Sequence, residues 1–142
     1  MKNVGHMLEG KGHEVLSVSP DATVFEALQL MADRNVGALV VLEGEKLAGI
    51  FSERDYARKV ILLGKSSKET LVREIMTDKV LCVRPEQTVE QCMAIMTEKR
   101  IRHLPVLDHK KVIGVISIGD VVKETISEQK FIIAQLESYI HQ

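Results

Sequence analysis

Gly49-Ile50-Phe51-Ser52-Glu53-Arg54-Asp55 and Gly114-Val115-Ile116-Ser117-Ile118-Gly119-Asp120 carry one pattern, a glycine, two apolar residues, a serine and an aspartate, at an offset of 65 residues. The offset extends far beyond these segments. Residues 15–62 and 80–127 align without a gap and share fifteen identities in forty-eight positions, among them Val15/Val80, Val18/Val83, Pro20/Pro85, Thr23/Thr88 and Met31/Met96. A unit this short can hardly bury its own apolar faces, so the two copies should pack together and share a core. Packing them creates a pseudo-two-fold axis, and a site at their interface should come as a pair.

Each copy reads strand, helix, strand, strand, helix. In the first, residues 14–18 alternate as a short strand closed by Pro20. Val24, Ala27, Leu28, Met31 and Ala32 then fall at i, i+3, i+4, i+7 and i+8, one face of a helix. Residues 38–42 and 47–51 flank a polar turn as a hairpin, and Ser52 opens a second helix that stops at Gly64. The second copy follows with strand 80–83, helix 88–99, strands 104–107 and 112–116, and a helix from Ser117. The lead-ins Val4-Gly5-His6-Met7-Leu8 and Val72-Arg73-Glu74-Ile75-Met76 also match, as short helical turns at an offset of 68.

The predicted fold is α/β (α+β), two βαββα repeats related by a pseudo-two-fold axis, with an extended C-terminal helix. The predicted boundaries are 4–64 for the first repeat with its lead-in, 65–71 for a polar, flexible linker, 72–127 for the second repeat and 128–142 for the helical extension. On the last helix Val122, Ile126, Ile133, Leu136 and Ile140 share a face. It either caps the core of its own chain or packs on a second subunit.

Composition narrows the function. A net charge of −1 over 142 residues, 4% aromatic content and no Trp argue against a nucleic-acid binder. No apolar run approaches the length of a membrane span, and no leader-like segment begins the chain, so the expectation is a cytoplasmic protein with no membrane partner. Cys82 and Cys92 lack a CxxC partner or a histidine at metal spacing, which predicts buried, reduced thiols and no zinc. Residues 5–12 approach the phosphate-loop pattern GxxxxGK[ST], but Gly12 stands where the hydroxyl is needed and too few residues precede it for a strand. His6, His13, His109 and His141 are scattered, and Arg58-Lys59 reads as an exposed helical face.

Four segments share [S/T]-x-x-[D/E/Q]: Thr23…Glu26, Ser52…Asp55, Thr88…Gln91 and Ser117…Asp120. A capping box explains the two threonine segments, whose partners have the reach to fold back. The serine segments carry the shorter Asp and follow directly on a strand. A strand running into a helix aims the free N–H groups beyond the sheet edge, which suits a phosphate. The aspartate can accept bonds from a ribose diol, and Arg54 adds a fork for phosphate oxygens where its counterpart, Gly119, has no side chain. Capping and nucleotide binding both remain open for each segment; their doubled occurrence favours binding.

With Arg102-His103-Leu104-Pro105-Val106 leading into the middle strand of the second copy, residues 4–127 resemble a tandem pair of cystathionine-β-synthase (CBS) domains, a Bateman module. The resemblance implies a regulatory module, not an enzyme, with no required cofactor or metal. Its ligand would be an adenosine-containing nucleotide such as AMP, ADP, ATP, NAD or S-adenosylmethionine, held in two clefts between the repeats. Asp55 and Asp120 would take ribose hydroxyls, and Ser52 and Ser117 would sit near ribose or phosphate. Arg54 and Arg102 or His103 would meet phosphates, and Val15, Val18, Val80 and Val83 would hold the adenine. Gly37-Ala38-Leu39-Val40 departs from the Arg-His-Leu-Pro stretch, so the two clefts should differ. A homodimer acting on a regulated protein partner completes the expectation. The alternative is an oligomerisation scaffold with vestigial clefts.

Overall fold

The hairpins repeat with their register intact. A computed structural model describes residues 2–140. The first half of the chain runs α1 (Val4–Lys11), β1 (Ser17–Val18), α2 (Val24–Arg34), β2 (Ala38–Glu43), β3 (Lys46–Ser52) and α3 (Glu53–Tyr56), which continues as a π-helical turn over Ala57–Ile61. The second half runs α4 (Val72–Ile75), α5 (Val89–Lys99), β4 (His103–Asp108), β5 (Lys111–Ser117) and α6 (Ile118–Ile140). β2 and β3 pair antiparallel from Ala38 opposite Ser52 to Glu43 opposite Lys46, with a bulge between Val41 and Leu42. β4 and β5 reproduce every pair 65 residues later, down to the bulge between Val106 and Leu107. α2 and α5 both start on a capping threonine and end on a left-handed residue, Asn35 and Arg100.

The first strand of each copy is shorter than its alternation predicts. Only Ser17–Val18 forms a strand, parallel to β2, and in the second copy only a single bridge from Val83 to Val106 remains. The backbone donor explains the difference. Val40 donates its N–H to the Leu16 carbonyl, at 3.2 Å. Its counterpart is Pro105, which has no N–H to give.

The expectation of one shared core is corrected: each repeat has its own, completed by the lead-in of the other. Val4 and Gly5 donate backbone N–H groups to the carbonyls of Gln87 and Pro85, at 2.8 and 2.9 Å. Val72 and Arg73 do the same to Ala22 and Pro20, both at 2.8 Å. α1 therefore gives Val4, Met7 and Leu8 to a core with Val89, Met96, Leu104 and Ile116. α4 gives Val72 and Ile75 to a core with Val24, Met31, Leu39 and Phe51. The exchange also explains the repeated glycine. A Cβ on Gly49 would lie 2.7 Å from Met76 Sδ and 2.8 Å from the Thr77 carbonyl; on Gly114 it would lie 2.6 Å from Leu8 Cδ2. Both glycines let the exchanged segment cross the strand.

Residues 65–71 are tied to the first repeat. Lys65 donates to the Val60 carbonyl, while Phe25 and Val24 donate to the carbonyls of Ser67 and Thr70. Residues 129–138 are all exposed, including Phe131, Ile132, Ile133 and Leu136, so the tail does not cap its own core. His141 and Gln142 lie outside the described residues.

Candidate functional site

β3 runs directly into α3, and β5 into α6, so the two Ser-x-x-Asp segments stand at helix starts beyond the sheet edges. Both form reciprocal capping boxes. The Asp55 N–H donates to Ser52 Oγ at 3.2 Å, and the Ser52 N–H donates to Asp55 Oδ2 at 3.0 Å. The Asp120 N–H donates to Ser117 Oγ at 3.2 Å, and the Ser117 N–H donates to Asp120 Oδ2 at 2.8 Å. The expectation that the shorter aspartate makes capping the poorer account is thus corrected; the carboxylate reaches back at both sites.

The two carboxylates are otherwise engaged differently. Asp55 is buried and has four partners: the Ser52 N–H and hydroxyl donate to Oδ2, the Thr77 hydroxyl donates to Oδ1 at 3.2 Å, and the Lys59 ammonium is salt-bridged to Oδ1 at the same distance. Asp120 takes the Lys11 ammonium at 2.5 Å, and Lys11 also donates to the Val115 carbonyl at 2.6 Å. Burial is the largest influence on the Asp120 carboxyl and pushes it upward, but Lys11 and the Ser117 N–H outweigh it and hold it below its ordinary value.

Each helix start opens on a cleft between the repeats. The first, about 910 Å³, brings Ser52, Arg54 and Asp55 of the first repeat against Val80, Leu81, Arg100, Arg102 and His103 of the second. The second, about 490 Å³, brings Ser117 and Asp120 against Leu16, Arg34 and Gly37, and Lys11 also lines it. Gly37 and His103 line both clefts. A Cβ on Gly37 would meet Glu53 Oε1 at 3.2 Å and His103 Cε1 at 3.6 Å, so Gly37 and His103 stand against each other between the clefts. Burial, then the charges of Lys11 and Arg102, hold the His103 imidazole below its ordinary pKa against the opposing pull of Asp120.

Of the residues expected at the site, Ser52, Arg54, Asp55, Val80, Arg102 and His103 meet at the first cleft, and Ser117 and Asp120 at the second. Val15, Val18, Val83 and Gly119 line neither. Val83 is in the core of the second repeat and Val18 packs on that of the first. Leu16 and Leu81 present the apolar walls instead. Arg58 is exposed, as expected, and Lys59 partly so, and both line the first cleft; the i,i+4 spacing of Lys59 from Asp55 is the sequence sign of its place there. Thr77, Lys79 and Arg100, and at the second cleft Lys11, Glu14 and Arg34, carried no such sign.

Among the described residues no group of three or more His, Cys, Asp or Glu side chains is placed to hold a metal, and no helix is long and apolar enough to cross a membrane. Cys92 is buried, Cys82 only partly so, and burial raises both thiols.

A family model of the CBS domain matches residues 12–61 and 72–127. The mitochondrial CBS domain-containing protein CBSX3 of Arabidopsis thaliana is 45% identical over 145 residues, covering 99% of this chain and 69% of that protein. The crystal structure of the CBS domain NE2398 superposes with a TM-score of 0.85 at 55% identity, over 88% of this chain and 98% of the other. The CBS domain pair of protein MJ0100, solved in complex with 5′-methylthioadenosine and S-adenosyl-L-methionine, shares the fold at 22% identity, with a TM-score of 0.81 over 90% of this chain and 98% of that one.

Proposed function

The chain belongs to the CBS domain family as a tandem pair of such domains, and on that premise we propose that it is a regulatory module binding an adenosine-containing nucleotide (AMP, ADP, ATP or NAD) between its repeats. The observation that carries this is the first cleft. A space of about 910 Å³ has a helix start with Ser52 and Asp55 on one side and apolar Val80 and Leu81 on the other, with cations between. Its volume falls in the range of small-molecule pockets, roughly 300–1,000 Å³. The MJ0100 pair, bound to two adenosine-containing compounds, supports the ligand class.

In this reading the adenine sits against Val80 and Leu81. A ribose hydroxyl replaces the Lys59 ammonium on Asp55, and the released lysine turns to the phosphates beside Arg54 and Arg102. Such a ligand touches both repeats and stabilises one relative orientation by the difference in its affinity for the alternatives. At micromolar affinity about 8 kcal/mol of binding free energy is available for that bias. The module is a binder rather than an enzyme: Asp55, the buried carboxylate of the cleft, serves as helix cap and diol acceptor. The exposed apolar face of α6 is where a second copy docks in a homodimer, and a regulated protein partner reads the resulting orientation.

A thermal-shift panel of AMP, ADP, ATP, NAD and S-adenosylmethionine tests the proposal. At a hundredfold excess over Kd a ligand adds about 2.7 kcal/mol of stability, a rise of several degrees for a chain of this size. Unchanged melting with all five would leave the scaffold alternative, which the exposed tail helix favours.

A further inference from the structure

The clefts differ in charge as well as in size. Arg54, Arg58, Lys59, Lys79, Arg100 and Arg102 line the first, against only Glu53 and Asp55. Of these six cations, Lys59 alone is salt-bridged among the described residues. In the other repeat the positions 65 residues away hold Gly119, Lys123, Glu124, Glu14, Asn35 and Gly37, so the charge is lost at five of the six. The second cleft has Lys11 and Arg34, each matched by a carboxylate and each bonded to it, Lys11 to Asp120 and Arg34 to Glu14. A phosphate entering there would have to take a cation from its carboxylate. A ribose would not: Lys11 and the Ser117 N–H both sit on Asp120 Oδ2, and none of the bonds described for that carboxylate falls on Oδ1.

We propose that the clefts divide their ligands by charge, the first taking a nucleoside polyphosphate and the second an uncharged nucleoside, with Asp120 and Glu14 neutralising the cations Lys11 and Arg34 that a phosphate would need in the second. The proposal rests on the nucleotide reading above and assigns each cleft its own ligand class. Glu14 is the decisive position. It stands where Lys79 stands in the first cleft, and its carboxylate neutralises Arg34.

Isothermal titration of the full chain with ATP and adenosine is the test. ATP should saturate at one per chain and lose at least tenfold in affinity between low and moderate salt, because unpaired surface cations are screened. The ATP-loaded chain should bind one adenosine, with little salt dependence, and Asp120→Asn should abolish only that event. The exposed Glu14→Lys adds a cation and frees Arg34, so it should raise ATP stoichiometry from one to two. Two ATP per native chain, no adenosine binding after ATP loading, or an unchanged stoichiometry in Glu14→Lys would each overturn the division by charge. If two ATP bind, the nucleotide reading survives without it; if neither compound binds, both fall together.

Discussion

Replacing Asp55 with Ala should lower stability and nucleotide affinity together, by separable amounts. Asp55 is only 8% exposed, and its carboxylate accepts three hydrogen bonds and one salt bridge. Removing it leaves the Ser52 N–H and the Thr77 hydroxyl without acceptors in a half-buried place and breaks the capping box of α3. Loss of a helix cap costs about 0.5–2 kcal/mol. Lys59 adds little, because its side chain is 44% exposed and it retains its bond to the Ile75 carbonyl. The expected destabilisation is about 1–3 kcal/mol once an unsatisfied buried donor is included. Urea denaturation at neutral pH reads this directly. Binding by the folded variant should fall by a further 1.5–3 kcal/mol or so, the worth of hydrogen bonds to a charged group. Calorimetry at a urea-free temperature well below melting separates the second effect from the first. A variant as stable as the native chain would refute the role of these hydrogen bonds. Full stability loss with unchanged ATP affinity would show that Asp55 is a cap and nothing more.

Gly49→Ala should destabilise the fold by about 1–3 kcal/mol, as overpacking does, and by more than Gly114→Ala, because it strikes the Thr77 backbone carbonyl rather than the movable end of Leu8. Equal denaturation midpoints would contradict the exchanged lead-ins. A chain ending at Ser127 should be monomeric by light scattering, since it lacks exposed Phe131, Ile132, Ile133 and Leu136; a persistent dimer would move the interface to another surface. His103, held below its ordinary pKa first by burial and then by Lys11 and Arg102, makes stability depend on pH. The unfolded chain takes up this proton first, so the contribution is full above about pH 6.5 and is lost as pH falls from there toward the folded value. His103→Gln should flatten urea stability between pH 7 and 5.5, and an unchanged slope would rule out His103 as the source.

The architecture was legible because its signals are local and duplicated. The period of α2 and α5, the threonine caps and the hairpin registers all follow from residues within one copy. What the sequence left hidden depends on contacts between distant segments. The lead-ins match at an offset of 68 whether each packs on its own repeat or on the other, so the exchange of α1 and α4 leaves no trace in the alignment. Lys11 sat inside a failed phosphate pattern and found its role only because α1 docks on the second repeat, next to Asp120. Val15/Val80, Leu16/Leu81 and Val18/Val83 are all repeated, so repetition does not separate Val80 and Leu81, which line the cleft, from Val83 in the core. Pro105 was visible, but its effect on the strand around Val83 needed the pairing partner to be known.

Nuclear magnetic resonance titration of ATP into the full ¹⁵N-labelled chain tests the central claim most directly. Saturable shifts should appear in the backbone amides of Ser52, Arg54, Asp55, Val80 and Arg102, from both repeats and at one common affinity. Amides that stay in place at millimolar ATP, or shifts confined to α6, would contradict a nucleotide site between the repeats.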